Sequence, residues 1–337
     1  METKRICNQI AKIALPMILG SAILYWMYRD FDFGSIRQVL MHQMNWTWML
    51  LSFPFGILAQ MFRGWRWKQT LEPIGEKPRT STSINAVFLS YAVSLIIPRV
   101  GEVARCGVLK RYDGVSFPKA LGTVVTERAV DTLLMLLITA VAFVMQVRVF
   151  NTFFSQTGTR FNDILHGFTT AGWLVTAVCA VSVVILAWLV VRKLAIYNKV
   201  KETINAIWQG VMSLRKVKSI PRFLFYSVGI WVCYFLHYYL TFFCFDFTAN
   251  LGFTCALVSF VVGSIAVIVP TPNGAGPWHF AVKTMLILYG VADHQALYFV
   301  LIVHTIQTLL VILLGIYAWG ALAVSSRQTG IKDYGDH

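Results

Sequence analysis

The chain has 337 residues, of which 57% are hydrophobic and only 13% are charged, and its mean hydropathy is +0.64. This composition excludes a soluble globular protein and indicates a multi-pass membrane protein, because several windows of about 18 or more residues are nearly free of charge. The net charge of +14 does not indicate nucleic-acid binding, since the basic residues lie in short loops between apolar segments. We expect them to set the topology and to contact anionic lipids of the inner leaflet.

Six full spans are predicted. In chain order they cover residues 10–28, 46–62, 119–145, 168–191, 223–245 and 296–322. Residues 63–80 and 192–222 are rich in Lys and Arg, which predicts that both are cytoplasmic loops of an inner (plasma) membrane protein with cytoplasmic termini. Helical spacing of apolar residues within 197–218 predicts a basic amphipathic helix on the inner leaflet. We therefore expect one transmembrane domain, 1–324, and a short cytoplasmic tail, 325–337.

Two apolar segments are predicted to enter the bilayer and return without crossing it. Residues 84–98 are too short for a span at about 1.5 Å per residue, and both flanks are basic. Segment 84–111 is therefore expected to enter from the cytoplasm and to break at Pro98. Segment 252–290 turns at the Pro- and Gly-rich stretch 270–277 and is expected to enter from outside.

The two broken segments resemble each other. "SYAVSLIIP" at 90–98 is similar to "SFVVGSIAVIVP" at 259–270, and each closes on a proline before a glycine-containing turn. Polar residues then recur at equal spacing after a glycine: Gly114, Arg128 and Asp131 in one half, and Gly290, His304 and Gln307 in the other. The predicted fold is thus an all-α polytopic integral membrane protein with two re-entrant hairpins in an inverted repeat, an architecture typical of transporters.

The candidate binding residues lie at the two turns and in the helices that follow them. Irregular backbone at membrane depth must be buried in protein or face a wet cavity, which predicts that the turns face each other across one. Backbone N–H groups at a helix start favour an anion such as phosphate, and ionisable groups inside a span usually face a cavity or one another. The candidates are Arg99, Glu102, Arg105, Glu127, Arg128, Asp131, Asn273, Gly274, Gly276, His279 and His304.

A purely structural role for these residues is left open. Glu127, Arg128 and Asp131 are spaced to pair, so the charges could form an ion-pair network that holds the first hairpin in place. Gly274 and Gly276 could simply make the second turn possible, and Asn273 could cap the helix that follows it. The histidines could be hydrogen-bonded packing residues.

Two stretches carry a resemblance to a known family: "IPRVGEVARCGVLKRYDGVSFPKALGTVVTERAVD" and "VPTPNGAGPWH". The chain resembles the transmembrane-region family of lysylphosphatidylglycerol synthetases, also called flippase-like domain proteins. The family's P-x-R-x-G-E-x-x-R turn and its E-R-x-x-D span are matched by Pro98, Arg99, Gly101, Glu102 and Arg105, and by Glu127, Arg128 and Asp131. Its second turn, G-x-G-x-x-E, is matched at Gly274 and Gly276, but His279 stands where the glutamate is expected.

The resemblance implies a bilayer domain that moves a lipid with a charged headgroup between leaflets. Only residues 323–337 follow the last predicted span, so we expect no aminoacyl transferase domain and no synthesis of lysyl-lipid. The expected function is that of a flippase for an anionic or phosphate-bearing lipid, either a phospholipid or a polyprenyl-phosphate carrier. The three candidate arginines would bind the phosphate, the candidate carboxylates would balance or gate them, and a homo-oligomer is left open.

Two other functions are left open. One is an intramembrane enzyme acting on lipid phosphate, with Glu127 and Asp131 as acid and base or as metal ligands. We do not expect it, because the chain has neither a P-loop nor a recognisable nucleophile–base pair, and its six cysteines lack the spacing of a metal site, so no metal or cofactor is expected. The other is a non-transporting subunit that organises an envelope complex through the helix at 197–218.

Overall fold

The computed structural model describes residues 18, 20–29, 34–98, 100–146, 205, 217, 219–269 and 271–328. These residues are mostly helical and include no strand. Three helices in this part are long and apolar enough to cross a membrane: Phe117–Met145, Ile220–Cys244 and Asp293–Ser325. They coincide with the predicted spans 119–145, 223–245 and 296–322, so the prediction of an all-helical, multi-pass membrane protein is confirmed.

Several predicted features lie outside the described residues. They are Arg99, residues 10–17 and 19 of the first predicted span, the span 168–191, and most of the amphipathic helix 197–218 and of the tail 325–337.

The helices are numbered here in chain order. They are α1 (20–28), α2 (Gly34–Gln38, continued by a π-helical turn), α3 (Trp46–Leu71), α4 (Thr80–Ile96), α5 (Val100–Asp113), α6 (Phe117–Met145), α7 (Ile220–Tyr239), α8 (Asp246–Ala249), α9 (Gly252–Ala266), α10 (Pro277–Leu288) and α11 (Asp293–Gln328). A 3-10 turn, Leu240–Cys244, extends α7. Asn45 begins α3 by accepting a hydrogen bond from Thr47 N at 3.0 Å, as an N-cap residue does.

Helix α3 contradicts the predicted loop at 63–80. The helix continues to Leu71, and the side chains of Arg63 and Arg66 are buried in the bundle rather than placed at the membrane surface. Both residues were interpreted as topology-setting loop charges because a charged pair after an apolar run usually marks the end of a span. The helix can continue because carboxylates on another helix pair with both guanidinium groups.

Helices α3 and α7 pack antiparallel along their lengths. Asn45 N, before α3, donates to Cys244 O, after α7, at 2.8 Å. Towards the other end, the rings of Phe62 and Tyr226 lie 5.7 Å apart between centroids. The two helices therefore form a closely packed pair, against which α4, α6 and α9 also pack.

The chain breaks at both predicted turns, between α4 and α5 and between α9 and α10. Gly101 lies so close to Ser90 O and Ser94 Oγ that no Cβ could be accommodated, which explains the glycine of the first turn. Gly276 has φ 91°, and a Cβ there would lie 2.8 Å from Gly20 O. Only glycine combines this backbone conformation with such a close approach.

Two apolar cores flank these turns. One is formed by α3, α4, α5 and α6 around Trp67, Leu109 and Val124, all of which are almost fully buried. The larger one is formed by α3, α7, α9, α10 and α11 around Phe242 and Phe299. Polar side chains and two cavities occupy the space between the cores.

Candidate functional site

Seven charged side chains from α3, α5 and α6 meet inside the bundle. They are Arg63, Arg66, Glu102, Arg105, Glu127, Arg128 and Asp131. We call them the arginine cluster. Its four guanidinium groups exceed its three carboxylates by one positive charge.

Asp131 holds three of the four arginines. Its Oδ2 accepts a hydrogen bond from Arg63 Nη1 at 2.6 Å and lies 3.0 Å from Arg128 Nη2. Its Oδ1 accepts from Arg66 Nη1 at 2.7 Å. A carboxylate on α6 thereby fixes two arginines of α3, which explains why α3 can bury them.

Glu127 joins α3 to α5. Its Oε1 accepts from Arg66 Nε at 3.3 Å, and its Oε2 accepts from Arg105 Nη2 at 2.8 Å. The guanidinium carbon of Arg105 also lies 4.5 Å from the ring centroid of Trp67, a cation–π contact. These contacts hold the first turn against α3 and α6 through charged groups that are fully buried.

The edge of the cluster is more accessible. Glu102 Oε1 lies 3.1 Å from Arg128 Nε, and these two side chains are 40% and 41% exposed. Every other ion pair of the cluster joins side chains that are buried, or links Arg128 to the buried Asp131. A ligand can therefore approach the cluster from the side of Glu102 and Arg128.

A small cavity of about 90 Å³ borders the cluster, and we call it the arginine cavity. It is lined by Arg63, Ser90, Tyr91, Ser94, Glu102, Arg105 and Arg128. Within the described part of the chain, Arg63 Nε and both Arg105 Nε and Arg105 Nη1 have no hydrogen-bond partner. Buried donors without a partner are costly, so an anion placed here would gain hydrogen bonds that the protein does not supply.

The second turn carries uncharged polar groups instead. Asn273 has φ 52°, a conformation that asparagine tolerates better than most residues. Its Nδ2 donates to Thr308 Oγ1 at 2.6 Å, and its carbonyl oxygen lies 3.1 Å from His304 Nε2. Asn273 thus ties the turn to α11, and the predicted capping of the next helix is wrong, because Gly276 is the residue before α10.

His279 packs against His304, next to Asn273 and the second turn. Gly276 N donates to His279 Nδ1 at 3.4 Å, and the ring centroids of His279 and His304 are 4.4 Å apart. His279 is 3% exposed and does not line either cavity described here. The imidazole that replaces the expected glutamate therefore accepts a hydrogen bond within the second turn and packs against His304.

A larger cavity of about 370 Å³ lies between the two turns, and we call it the central cavity. Its lining combines Pro98 of the first turn with Val267, Thr271, Asn273 and Gly274 of the second. The remaining lining residues come from α3, α4, α7, α10 and α11: Gly56, Gln60, Tyr91, Ser94, Tyr234, His237, Trp278, His304, Gln307, Thr308, Leu310 and Val311.

The two cavities are neighbours. Both are lined by Tyr91 and Ser94, and Tyr234 Oη donates to Tyr91 Oη at 2.7 Å where they adjoin. A ligand in the central cavity could therefore extend towards the arginine cluster past Tyr91.

The structure brings the predicted site residues together in two groups. Glu102, Arg105, Glu127, Arg128 and Asp131 belong to the arginine cluster, whereas Asn273, Gly274, Gly276, His279 and His304 surround the second turn. Sequence analysis missed Gln60, Arg63 and Arg66, which recur every three residues along one face of α3. That polar stripe inside a helix is the signal that could have identified them.

The fold and the site define a multi-pass, all-helical membrane domain with a buried charged cluster beside a cavity that the described residues line with uncharged groups. Residues 10–315 match the model of the family described as the lysylphosphatidylglycerol synthase TM region. The chain belongs to this family of membrane domains linked to lipid handling. No curated protein and no solved structure matches the chain.

Proposed function

We propose that the protein is a translocator that moves an anionic or phosphate-bearing lipid, a phospholipid or a polyprenyl-phosphate carrier, across the inner membrane. The observation that carries the proposal is the arginine cluster, which has an excess positive charge and unpartnered N–H groups at a cavity. Guanidinium groups present planar, directed donors that match the oxygens of a phosphate. Arg63, Arg105 and Arg128 would bind the phosphate at this cavity.

The carboxylates have a separate role in this proposal. Glu127 and Asp131 hold the arginines in place, because an array of buried guanidinium groups would otherwise be unstable. Glu102 is the most exposed acidic group of the cluster, and its pairing with Arg128 could be exchanged for a phosphate. We propose this exchange as the step that admits the lipid headgroup.

An inverted repeat would supply the motion. We propose that α3 to α6 correspond to α7, α9, α10 and α11. Helices α6 and α11 begin at Phe117 and Asp293, which are 176 positions apart, the same separation as Arg128 and His304. The corresponding helices α3 and α7 run antiparallel, as a two-fold axis in the membrane plane requires.

The packing of the other helices supports the same relation. Helix α4 packs against α11, and α9, its counterpart, packs against α6, the counterpart of α11. Each half therefore contacts the other through equivalent helices. In transporters built from inverted repeats, broken helices meet at a central site and the repeats rock around it, and we propose that α4–α5 and α9–α10 are re-entrant hairpins that do so.

The basic loops support cytoplasmic termini. Lys119 Nζ lies 2.9 Å from Glu76 Oε1, and Arg79 Nε donates to Asp113 Oδ1 at 2.7 Å. These contacts gather the α3–α4 and α5–α6 loops at one end of the bundle. With Lys68 and Lys77 nearby in the sequence, that end remains basic without Arg63 and Arg66, and we propose that it faces the cytoplasm and its anionic lipids.

We also propose that the chain transports rather than catalyses. Each carboxylate that the enzyme hypothesis needs is already held by arginines, Glu127 by two and Asp131 by three. No group of three or more His, Cys, Asp and Glu side chains in the described ranges is arranged to hold a metal ion. These arrangements favour a binding role for the cluster.

The test is transbilayer movement of fluorescent lipids in proteoliposomes. The panel contains phosphatidylglycerol, phosphatidylcholine and a polyprenyl phosphate. We expect movement of at least one anionic lipid, and a loss of about tenfold or more in Arg128→Gln, because a charge-assisted hydrogen bond is worth about 1.5–3 kcal/mol. The exposed Lys110→Gln on the neighbouring helix is the matched control.

Two results would contradict the proposal. One is anionic lipid movement no faster than in protein-free vesicles, with protein shown to be folded and inserted. The other is equal transport by wild type and Arg128→Gln.

A further inference from the structure

The lining of the central cavity is uncharged and combines a largely apolar surface with polar groups. Among its described lining residues there is no Asp, Glu, Lys or Arg, although the arginine cavity next to it is lined by four charged side chains. Its polar lining groups are amides, hydroxyls, phenols and imidazoles: Gln60, Tyr91, Ser94, Tyr234, His237, Thr271, Asn273, His304, Gln307 and Thr308. Groups of this kind both donate and accept hydrogen bonds, which is the chemistry that matches neutral hydroxyl groups.

Two of these groups lack a partner in the described part of the protein. Gln60 Oε1 and Thr271 Oγ1 are buried and make no hydrogen bond there, and both residues are only 4% exposed. A buried polar atom without a partner costs free energy, so both atoms favour a ligand that carries hydroxyl groups. Both residues line the central cavity, and they lie on different elements, α3 and the second turn.

The size and the aromatic lining fit a compact headgroup. The volume of about 370 Å³ lies within the usual range of small-molecule sites, roughly 300–1,000 Å³. Trp278, Tyr234 and Tyr91 add aromatic surface, which packs against the C–H faces of a polyol or a sugar ring.

A cationic headgroup fits poorly. No carboxylate lines the central cavity in the described residues, and Glu102, at the cavity next to it, is paired with Arg128. His279 stands at the position where the family pattern has a glutamate. Its Nδ1 accepts a hydrogen bond from Gly276 N, and it does not line the cavity. A positively charged group would therefore lose its hydration here without gaining an opposite charge.

We propose that the central cavity binds the part of the headgroup beyond the phosphate, and that this part is a neutral polyhydroxyl group, either a polyol or a sugar. The inference rests on the proposed function for the phosphate end of the lipid. Because the two cavities share Tyr91 and Ser94, one headgroup can place its phosphate in the arginine cavity and its hydroxyl groups in the central cavity.

Lipid binding tests this inference separately from transport. Purified full-length protein in detergent is titrated with phosphatidic acid, phosphatidylglycerol, phosphatidylinositol, a polyprenyl-phosphate sugar and lysylphosphatidylglycerol, and bound lipid is measured by native mass spectrometry. Phosphatidic acid carries the phosphate alone, and lysylphosphatidylglycerol adds a cation. The other three lipids distinguish a glycerol, a cyclic polyol and a sugar on a carrier.

We expect at least one polyhydroxyl lipid to bind about fivefold or more tightly than phosphatidic acid, and lysylphosphatidylglycerol to bind more weakly than phosphatidylglycerol. Gln60→Leu and Thr271→Val should each reduce this preference about fivefold, which corresponds to one hydrogen bond, without changing phosphatidic acid binding. Gln69→Leu is the matched control, because Gln69 lies on the same helix and also has a buried unpartnered Oε1, but faces a different cavity. Each variant is first checked by size-exclusion chromatography, and two variants on separate elements guard against misfolding of one.

The inference is overturned if phosphatidic acid binds as tightly as every polyhydroxyl lipid, if lysylphosphatidylglycerol binds most tightly, or if both folded variants keep the wild-type preference. Failure of the proposed function has a different signature, namely that no anionic lipid is translocated in vesicles. Translocation of all anionic lipids at one rate, with no headgroup preference in binding, would overturn the inference alone.

Discussion

The two broken segments, α4–α5 and α9–α10, differ in the side chains that join them to the helix that follows. In the first half, Glu102 of α5 pairs with Arg128 of α6 at 3.1 Å. In the proposed repeat, the residues 176 positions later are Trp278 of α10 and His304 of α11, which meet instead through their rings, whose centroids are 5.1 Å apart. At these positions the contact is made by an ion pair in one half and by uncharged rings in the other. An ion pair also joins α10 to α11, Lys283 Nζ to Asp293 Oδ1 at 2.8 Å, but it lies at the start of α11, where Asp293 is exposed.

In the proposed repeat both halves make this contact, and only the first half makes it with charged groups. Burying ionised groups costs several kcal/mol per ion unless partners compensate, and the second half shows that neutral groups can make an equivalent contact. The first half nevertheless keeps seven charged side chains. Four of them line the arginine cavity, where we propose that the phosphate binds.

The largest expected effect comes from removing the centre of the charged half. Asp131→Ala leaves three arginines without their shared partner and should lower the free energy of unfolding by about 3–5 kcal/mol. Gln307, its counterpart in the proposed repeat, donates one hydrogen bond, to His237 O at 3.3 Å, so Gln307→Ala should cost about 1 kcal/mol. Denaturant titration of both variants in detergent measures the difference, and equal losses would remove the contrast between the halves.

An intermediate effect is expected at the second turn. Asn273→Ala removes the 2.6 Å hydrogen bond to Thr308 and places alanine at φ 52°, so a loss of about 2 kcal/mol is expected. Asn273→Gly loses the same hydrogen bond but tolerates the backbone conformation, and should therefore be the more stable variant. Thermal unfolding of the two proteins separates the strain from the hydrogen bond; a glycine variant less stable than the alanine variant would argue against strain at this position.

The smallest change in stability is expected at the accessible edge of the cluster. Glu102→Gln should lower the free energy of unfolding by less than about 1 kcal/mol, because Glu102 and Arg128 are each about two-fifths exposed and Arg128 keeps Asp131. Lipid transport should nevertheless change, since the proposed exchange at Arg128 would lose its competing carboxylate. A large loss of stability with unchanged transport would show that this pair serves the fold alone.

Much of the architecture could be predicted because it depends on local pattern. Long apolar runs predicted α6, α7 and α11, and Pro98 and the Pro- and Gly-rich stretch 270–277 predicted the two breaks. The spacing of Arg128 and Asp131 predicted their pairing, because residues three apart share a helix face. The sequence predicts the end of α3 at residue 62, although the helix continues to Leu71. The reason is that buried arginines such as Arg63 and Arg66 cannot be distinguished from loop arginines in the sequence alone.

The amino-acid sequence by itself determined the membrane class, the broken helices and the family, since apolar length, helix-breaking residues and motif spacing are all local properties. Only the tertiary structure decided that Arg63 and Arg66 join Glu127 and Asp131, more than 60 positions away. It also decided that the central cavity is uncharged while its neighbour is lined by arginines. Ion pairs and cavities depend on which faces of distant helices meet, and that choice is made by the packing of the whole bundle.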